Sequence, residues 1–504
     1  MSTNKILIKG CSVADGTGSE PTPMEILVAG DKIVEVAISI AIEAIKATDT
    51  EIFNADGLIA APGFIDIHSH GDFDRMKHPV AFEKLTQGCT LEVVGNCGLN
   101  PYPVNEKAKN EMGPLITTLV GGTDFTGYST LEEYYEFLEE RGIAINIASH
   151  AGQGMIRGNV MGMSLDPATD TEFLEMKKLL DEAIDTGAMG LSTGLIYPTG
   201  AMTKTDEITR LMSEAVKRST GATPIYATHM RDEGNNIAAA LEEAITIAKG
   251  SGAKLQISHI KCMGEANWGR SGEVIEIIES ARKSGIDATA DMYPYLFAST
   301  LVAMILMIPG AADPEEVFVS NAIKSNGEMW EEVVGRSIAE LAQMWNVTTE
   351  VAGQKLIAET PSAIGVGKSN SEDDVIEFLK QPWTMIGSDG IEDKRGKPHP
   401  RVTSTFPRVL AEYVREKKIL TWGEAISKMT GKSAEKLGLK KRGFIKKGYF
   451  ADITLFDPEK IKDNGTYREP NVQPSGIPHV MVNGGWALLD GKVTEKLPGR
   501  VLRA

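Results

Sequence analysis

Between Pro62 and about Leu439 the chain repeats one unit, in which a short apolar run ends in polar or small residues and a helical segment follows. In segments such as 235–250 and 271–285, apolar residues recur at spacings of three and four, which is typical of amphipathic helices. Eight apolar runs can be counted, at 63–70, 90–98, 143–150, 188–197, 224–230, 254–260, 287–295 and 384–390. Eight strands that alternate with crossover helices predict an α/β fold of the (β/α)8, TIM-like barrel type.

A doubly wound nucleotide-binding sheet is the structural alternative to the barrel. That fold would place a GxGxxG motif between a strand and a helix. None of the eight runs is followed by this motif, and the glycines at 16 and 18 do not open a helical pattern. The barrel is therefore the favoured prediction.

Both ends of the chain show short alternating strands with glycine turns, such as KILIKG and MEILVAG near the start and ADITLFD near the end. Neither end is long enough to form a two-layer core alone. We therefore predict one small β-sandwich from residues 1–61 and 443–504, beside a catalytic barrel over 62–442. Two long connections, 99–142 and 296–383, are expected to hold extra helices over the barrel mouth, with a lid at about 296–383.

Composition narrows the classes of partner. The 504 residues are 42% hydrophobic and 24% charged, which is ordinary for a globular protein. A net charge of −17 disfavours nucleic acid and anionic membranes as partners and leaves a small-molecule substrate as the expectation. Four cysteines and an N-terminus without a signal-peptide pattern predict a cytoplasmic protein, and no apolar run is long enough to span a bilayer. The oligomeric state stays open.

Side chains that bind metals or carry protons cluster at the carboxyl ends of the predicted barrel strands, where barrel active sites lie. Four of the eight histidines fall at such ends. Two histidines in HxH spacing face the same side of a strand and can bind one ion. The alternative for these histidines is that they are simply hydrogen-bonded, and the alternative for the cysteine in GNCG is that it is a buried structural residue. Taken together, the cluster favours a metal site and an acid/base group, with the candidates His68, His70, Cys97, His229, His259 and Asp389.

These motifs resemble those of the N-acyl-D-amino-acid deacylase (D-aminoacylase) family of the amidohydrolase superfamily. The resemblance covers nearly the whole chain and rests on GFIDIHSH, GNCG, GLSTGLIYPTG, THMRDE, ISHIKC, NWGRS, DMYPY, GSDG and HPR. Many amidohydrolases bridge two metals with a carboxylated lysine after the fourth strand, but residues 188–200 contain no lysine, and the D-aminoacylase branch uses a cysteine instead. One departure is Ile260, where the family often has a second histidine; we expect this side chain to point away from the metal.

The resemblance implies that Cys97, His229 and His259 hold one tight zinc ion, while His68 and His70 form a second, weaker site with Cys97. It also assigns proton transfer to Asp389 and stabilisation of the developing oxyanion to Tyr197.

For the substrate, the resemblance places the carboxylate against Lys261, Ser299 and Arg401, and Tyr293 of DMYPY is a further candidate. An arginine fork suits a carboxylate geometrically. His150 ends the third run, and we weigh a substrate-orienting role there against that of a hydrogen-bonded core histidine.

The implied reaction is zinc-dependent hydrolysis of N-acyl-D-amino acids to a carboxylate and a free D-amino acid. Residues 301–309 contain no cation, which predicts a preference for neutral or apolar substrate side chains if this segment contacts the substrate. Two alternatives remain: a hydantoinase- or dihydropyrimidinase-like hydrolase of cyclic amides, and a non-catalytic scaffold.

Overall fold

The computed structural model of the chain describes residues 5–40, 50–119, 127–307, 313–324, 326–392 and 395–504. Eight parallel strands form a barrel. Seven fall within the predicted runs, and the second strand begins one residue before its run. The eight strands are β1 (Phe64–Asp66), β2 (Cys89–Val94), β3 (Asn146–Ser149), β4 (Gly190–Gly194), β5 (Ile225–His229), β6 (Lys254–Ile257), β7 (Ala288–Met292) and β8 (Thr384–Ile386).

Backbone hydrogen bonds close this barrel between its last and first strands. Just beyond β8, the Asp389 N–H donates to the His68 carbonyl at 2.7 Å, and the His70 N–H donates to the Gly390 carbonyl at 3.1 Å. On the other side, β3 pairs with β2, and the short strand Ala151–Gly152 that continues it pairs with β4. The predicted barrel fold is confirmed.

Helices surround the strands. The two segments predicted from their periodicity form Ile237–Ser251 and Ser271–Lys283. The other helices around the barrel are Asp72–Arg75, Phe82–Leu85, Glu106–Leu119, Leu131–Arg141, Gln153–Met161, Asp170–Thr186, Pro198–Ala201, Thr205–Arg218, Glu372–Lys380, Arg401–Arg408, the π-helical Val409–Glu416, Trp422–Met429 and Gly431–Leu437. None of the helices in the described ranges combines the length and apolar character that crossing a membrane requires.

Local signals explain where these helices begin and end. Helix Asp170–Thr186 starts at a capping box, in which the Thr169 hydroxyl accepts from the Glu172 N–H and the Glu172 carboxylate accepts from the Thr169 N–H. It ends at Gly187, whose φ of 105° favours a residue without a side chain. Between these ends it buries Phe173, Met176 and Leu180, which follow the helical spacing.

Apolar side chains fill the barrel interior and support the polar mouth. Ile65 and Ile67 of the first run pack with Leu91, Val93 and Met385 in one buried cluster. Because this apolar cluster fills the barrel interior, the polar side chains at the carboxyl ends of the strands face a single opening.

The terminal segments form two sheets. Four strands from the start of the chain make the first, in the order Lys32–Ala37, Glu25–Ala29, Lys5–Lys9 and Thr50–Asn54. The second combines both ends, in the order Lys492–Val493, Gly485–Leu489, His479–Val482, Ile453–Phe456, Ile59–Pro62, Ser12–Val13 and Thr22–Pro23. Apolar residues of both sheets pack together in one cluster, among them Ile8, Ile26, Ile453 and Trp486. The domain boundaries stay a prediction.

The last residues of the chain form hydrogen bonds with the barrel. The Leu502 N–H donates to the Ile147 carbonyl of β3 at 2.7 Å, and the Ala504 N–H donates to the Gly187 carbonyl at 3.0 Å. Val501 thereby forms an isolated parallel bridge with Ile147, and the hydropathy pattern contains no sign of this pairing.

The connection 296–383 contains extra helices, as expected, and also a sheet that was not predicted. It contains the helices Val302–Met307, Ile338–Trp345 and Thr349–Glu359, but also an antiparallel sheet in the order Phe297–Leu301, Ile364–Lys368 and Val317–Asn321. These five-residue strands alternate too briefly to stand out beside the helical periodicity. Residues 308 and 309 of the segment that we linked to substrate preference lie outside the described residues.

Candidate metal centre and active site

Six predicted residues converge at the barrel mouth, from the ends of β1, β2, β5, β6 and β8. Their ligand atoms form two groups, each within 4.8 Å, which share one thiol: His68, His70, Cys97 and Asp389, and Cys97, His229 and His259. The Cys97 Sγ lies 3.5 Å from the Nε2 atoms of both His68 and His259. When zinc–sulfur and zinc–nitrogen bonds meet at a tetrahedral angle, the sulfur and nitrogen atoms lie about 3.5 Å apart. In each of the two pairs, the thiol and the imidazole are therefore spaced as two ligands of one ion.

The His229 ring gives a second sign of a metal site. Both of its nitrogens are buried, and in the described part of the chain neither has a hydrogen-bond partner. The nearest carboxylate oxygen, on Glu233, is 3.8 Å from Nε2, which is too long for a hydrogen bond. A buried polar group without a partner is costly, and coordination of an ion would satisfy one of these two nitrogens.

Two buried carboxylates orient the other histidine rings. Asp291 Oδ1 accepts from His68 Nδ1 at 2.9 Å and from the His259 N–H at 2.7 Å. Glu233 Oε1 accepts from His259 Nδ1 at 2.8 Å and from Lys261 Nζ at 2.6 Å. With Nδ1 held in this way, Nε2 of each ring faces Cys97, which is a common arrangement around protein-bound zinc.

The sequence analysis missed both of these carboxylates. Asp291 and Glu233 lie in the motifs DMYPY and THMRDE, where an acidic residue at or just after a strand end was the available signal.

The electrostatics of the site favour a cation. Burial alone would raise the pKa of the Cys97 thiol, but the facing His68, His229 and His259 hold it well below its usual range. Burial likewise opposes ionisation of Asp389, while Arg401 and His259 hold the pKa of its carboxyl well below the usual value. A thiolate and a carboxylate thus share one buried space.

Three of the converging side chains come from residues in the left-handed backbone region. The φ angles are 53° at Cys97, 35° at His259 and 50° at Asp389. For residues other than glycine this conformation costs about 1–2 kcal/mol each. It turns the backbone sharply after each strand and brings the side chains together across the mouth.

A cavity opens beside the ligand groups, and most of the predicted substrate residues line it: Tyr197, Lys261, Tyr293, Ser299 and Arg401. Arg401 NH1 is 2.8 Å from Asp389 Oδ2, and its guanidinium carbon lies 4.6 Å from the centroid of the Tyr293 ring. The Tyr293 hydroxyl is buried without a hydrogen-bond partner among the described residues, so it is available to a ligand.

His150 is not among the described residues that line this cavity, so the geometry does not support the predicted substrate contact. It is buried at the end of β3, and burial together with the nearby His68 lowers its pKa to about 4. Its Nδ1 atom has no hydrogen-bond partner among the described residues, so the hydrogen-bonded core histidine that we weighed as the alternative is not shown either, and the role of His150 stays a prediction.

A buried ion pair supports the site from behind β1 and β8. Lys84 Nζ donates to Asp66 Oδ2 at 2.7 Å and to Ser388 Oγ at 3.0 Å. The Ser388 N–H donates to Asp66 Oδ1 at 2.8 Å. Asp66 lies two residues before His68, and Ser388 directly precedes Asp389, so the pair joins two of the three strand ends that carry the first ligand group.

Comparison with known proteins identifies the family. A model described as the amidohydrolase family matches residues 51–290 and 353–485. A D-aminoacylase of Alcaligenes xylosoxydans xylosoxydans is 34% identical over 498 residues, which cover 99% of this chain and 97% of the relative. The chain belongs to the D-aminoacylase family of amidohydrolases.

Other members of the D-aminoacylase family differ in the substrate that their names state. An N-acyl-D-aspartate deacylase of Alcaligenes xylosoxydans xylosoxydans is 33% identical over 98% of this chain and 94% of its own length. The solved structure of an N-acyl-D-glutamate deacylase of Bordetella bronchiseptica, complexed with zinc and a phosphonate inhibitor, is 30% identical, with a TM-score of 0.87 and complete coverage of both chains. The family resemblance predicted from the motifs is confirmed.

Proposed function

We propose that this chain is a zinc-dependent hydrolase of N-acyl-D-amino acids, small molecules that it cleaves to a carboxylate and a free D-amino acid. The observation that carries this proposal is the Cys97 thiol, which is shared by two ligand groups beside a cavity that is lined by Asp389, Lys261 and Arg401. The names of the relatives agree with it.

The donor set suits zinc because thiolate and imidazole are good ligands for this ion. Cys97, His229 and His259 would hold the tighter ion, and His68 and His70 with Cys97 would form the weaker second site. When bound, zinc acts as a Lewis acid on the amide carbonyl and activates water.

Asp389 is placed to move the proton of the reaction. One carboxylate oxygen lies 3.2 Å from His70 Nε2, and the other lies 2.8 Å from Arg401 NH1. From this position it takes a proton from the attacking water and delivers one to the amide nitrogen, because an amine leaves readily only when protonated.

The remaining polar groups of the cavity bind the substrate. Arg401 and Lys261 supply charge for the substrate carboxylate, and the hydroxyls of Tyr293 and Ser299 supply hydrogen bonds. Tyr197, whose ring centroid lies 5.4 Å from that of His229, is the candidate donor to the oxyanion.

The cavity wall supports a preference for apolar D side chains. Its aliphatic and methionine residues are Ile196, Met263, Ala298, Met304, Ile305 and Ile391. An acidic side chain against this wall would lose its hydration without a partner, at a cost of about several kcal/mol. Overall identity does not decide this point, since D-aminoacylase and N-acyl-D-aspartate deacylase are 34% and 33% identical to the chain.

The alternatives are less well supported. A scaffold without activity would not be expected to keep all the ligands and Asp389, and opening of a cyclic amide does not account for the position of Cys97 in both ligand groups.

The four cysteines are free and buried, which supports the proposed cytoplasmic, reducing environment. The net charge of −17 supports the absence of nucleic-acid and membrane partners.

The test is a hydrolysis screen of matched N-acetyl-D- and N-acetyl-L-amino acids, with zinc measured on the same sample. We expect cleavage of the D series alone, loss of activity on chelation and recovery when zinc is returned. Equal cleavage of the L series, or full activity in a zinc-free sample, would contradict the proposal.

A further inference from the structure

Three cations line the cavity among the described residues: Lys261, Lys368 and Arg401. Lys261 pairs with Glu233, and Arg401 pairs with Asp389 beside the ligand groups. Lys368 differs in position, because it ends the strand Ile364–Lys368 of the inserted sheet and has no contact with the ligand groups. No role has been given to it so far.

Lys368 belongs to the apolar side of the cavity. Its strand pairs with Phe297–Leu301 in the antiparallel register Ala298↔Gly367 and Ser299↔Val366. Ala298, Ser299 and Gly367 line the cavity together with it. The Lys368 side chain therefore belongs to the part of the cavity wall that would face the substrate side chain.

Glu316 holds this ammonium. Lys368 Nζ lies 3.1 Å from Glu316 Oε1 and 5.6 Å from the centroid of the Trp268 ring, and neither Glu316 nor Trp268 lines the cavity. Glu316 ends the short 3-10 turn Pro314–Glu316, directly before the third strand of the inserted sheet. The pair thus neutralises the Lys368 charge and holds its ammonium against a carboxylate that lies outside the cavity lining.

We propose that Glu316 sets the side-chain specificity of this enzyme by withholding Lys368 from the substrate. The inference rests on the proposed function and names a determinant within it. While Glu316 is present, an acidic side chain meets an apolar wall, a cation that is already paired and a nearby negative charge. Without Glu316, the flexible four-carbon stem of the lysine lets its ammonium turn into the cavity and pair with the substrate carboxylate.

The pair is suitable for a clean perturbation. The side chains of Lys368 and Glu316 are 30% and 38% exposed, and ion pairs with that much exposure contribute little to stability. Substituting Glu316 is therefore expected to change specificity without unfolding the protein. Glu315, the exposed neighbour of Glu316, offers a control with the same change of net charge.

The experiment compares kcat/KM for N-acetyl-D-glutamate, N-acetyl-D-leucine and N-acetyl-D-methionine in four proteins. These are the wild type, Glu316→Gln, Glu315→Gln and the double variant Glu316→Gln with Lys368→Met. In Glu316→Gln we expect the glutamate-to-leucine ratio to rise at least about tenfold, mainly through a lower KM for the glutamate derivative. Added salt should reduce this gain, because it depends on one charge pair.

The controls separate the explanations. Glu315→Gln should keep the wild-type ratio, and the double variant should return to it. An unchanged ratio in Glu316→Gln, an equal rise in Glu315→Gln, or a rise that survives in the double variant would overturn the inference while leaving the proposed function intact. A wild-type protein that cleaves none of the three substrates would overturn both.

Discussion

Substituting Glu233 with glutamine tests whether the carboxylate behind His259 supports the metal centre. At present Glu233 Oε1 accepts from His259 Nδ1 at 2.8 Å and from Lys261 Nζ at 2.6 Å. Glutamine keeps the shape of the side chain but removes its charge. It leaves one amide oxygen for two donors, and the buried Lys261 loses its counter-charge.

The size of the effect follows from these contacts. A hydrogen bond to a charged group contributes about 1.5–3 kcal/mol, and the amide oxygen can replace one of the two. Loss of the other corresponds to about one to two decades in affinity, at about 1.4 kcal/mol per decade. Removing a carboxylate that orients a ligating histidine has a similar effect, of about 10–100-fold. We therefore expect the zinc Kd of Glu233→Gln to rise about 10–100-fold.

The measurement is a competition titration against a chromophoric chelator at constant pH. Glu243→Gln is the matched control, because Glu243 pairs with Arg231 at 2.9 Å and belongs to neither ligand group. That variant should keep the wild-type Kd. A Glu233→Gln protein that binds zinc as tightly as the wild type, or a control that weakens equally, would refute the reasoning.

Three further substitutions test the ligands, the proton carrier and the supporting ion pair. Cys97→Ala should lower bound zinc and activity by orders of magnitude, and full zinc content in the folded variant would contradict its role. Asp389→Asn should keep the fold and zinc but lower kcat at least about 100-fold, and near-normal turnover would reject the assignment. Lys84→Met leaves Asp66 buried without its cation and should destabilise the fold by about 3–5 kcal/mol; an unchanged urea midpoint would exclude this.

The ligand residues were predictable because their positions follow from the barrel itself. His68, His229 and Asp389 end different strands, and parallel strands in a closed barrel bring their carboxyl ends to one opening. A pattern that identifies the strands therefore also identifies which residues meet. The eight barrel strands were predictable for the same reason, since each is a short apolar run between helical periods.

Other features depend on contacts that a linear pattern does not contain. Glu233 and Asp291 look like ordinary acidic residues until the histidine rings are placed beside them. His150 ends a strand like the ligands do, yet it lies buried off the cavity wall, because strand-end position does not determine where a side chain points. The pairing of Leu502 with Ile147 joins residues far apart in sequence, as does the inserted sheet.

The left-handed backbone at Cys97, His259 and Asp389 has a consequence for protein engineering. Glycine would relieve the conformation at each position, so random libraries screened only for heat resistance will reward the loss of these side chains. Selection for catalysis must accompany every such round. Sequences from a thermal screen should otherwise accumulate glycine at the positions of the metal ligands and the proton carrier. The resulting proteins would be stable but would have lost their hydrolase activity.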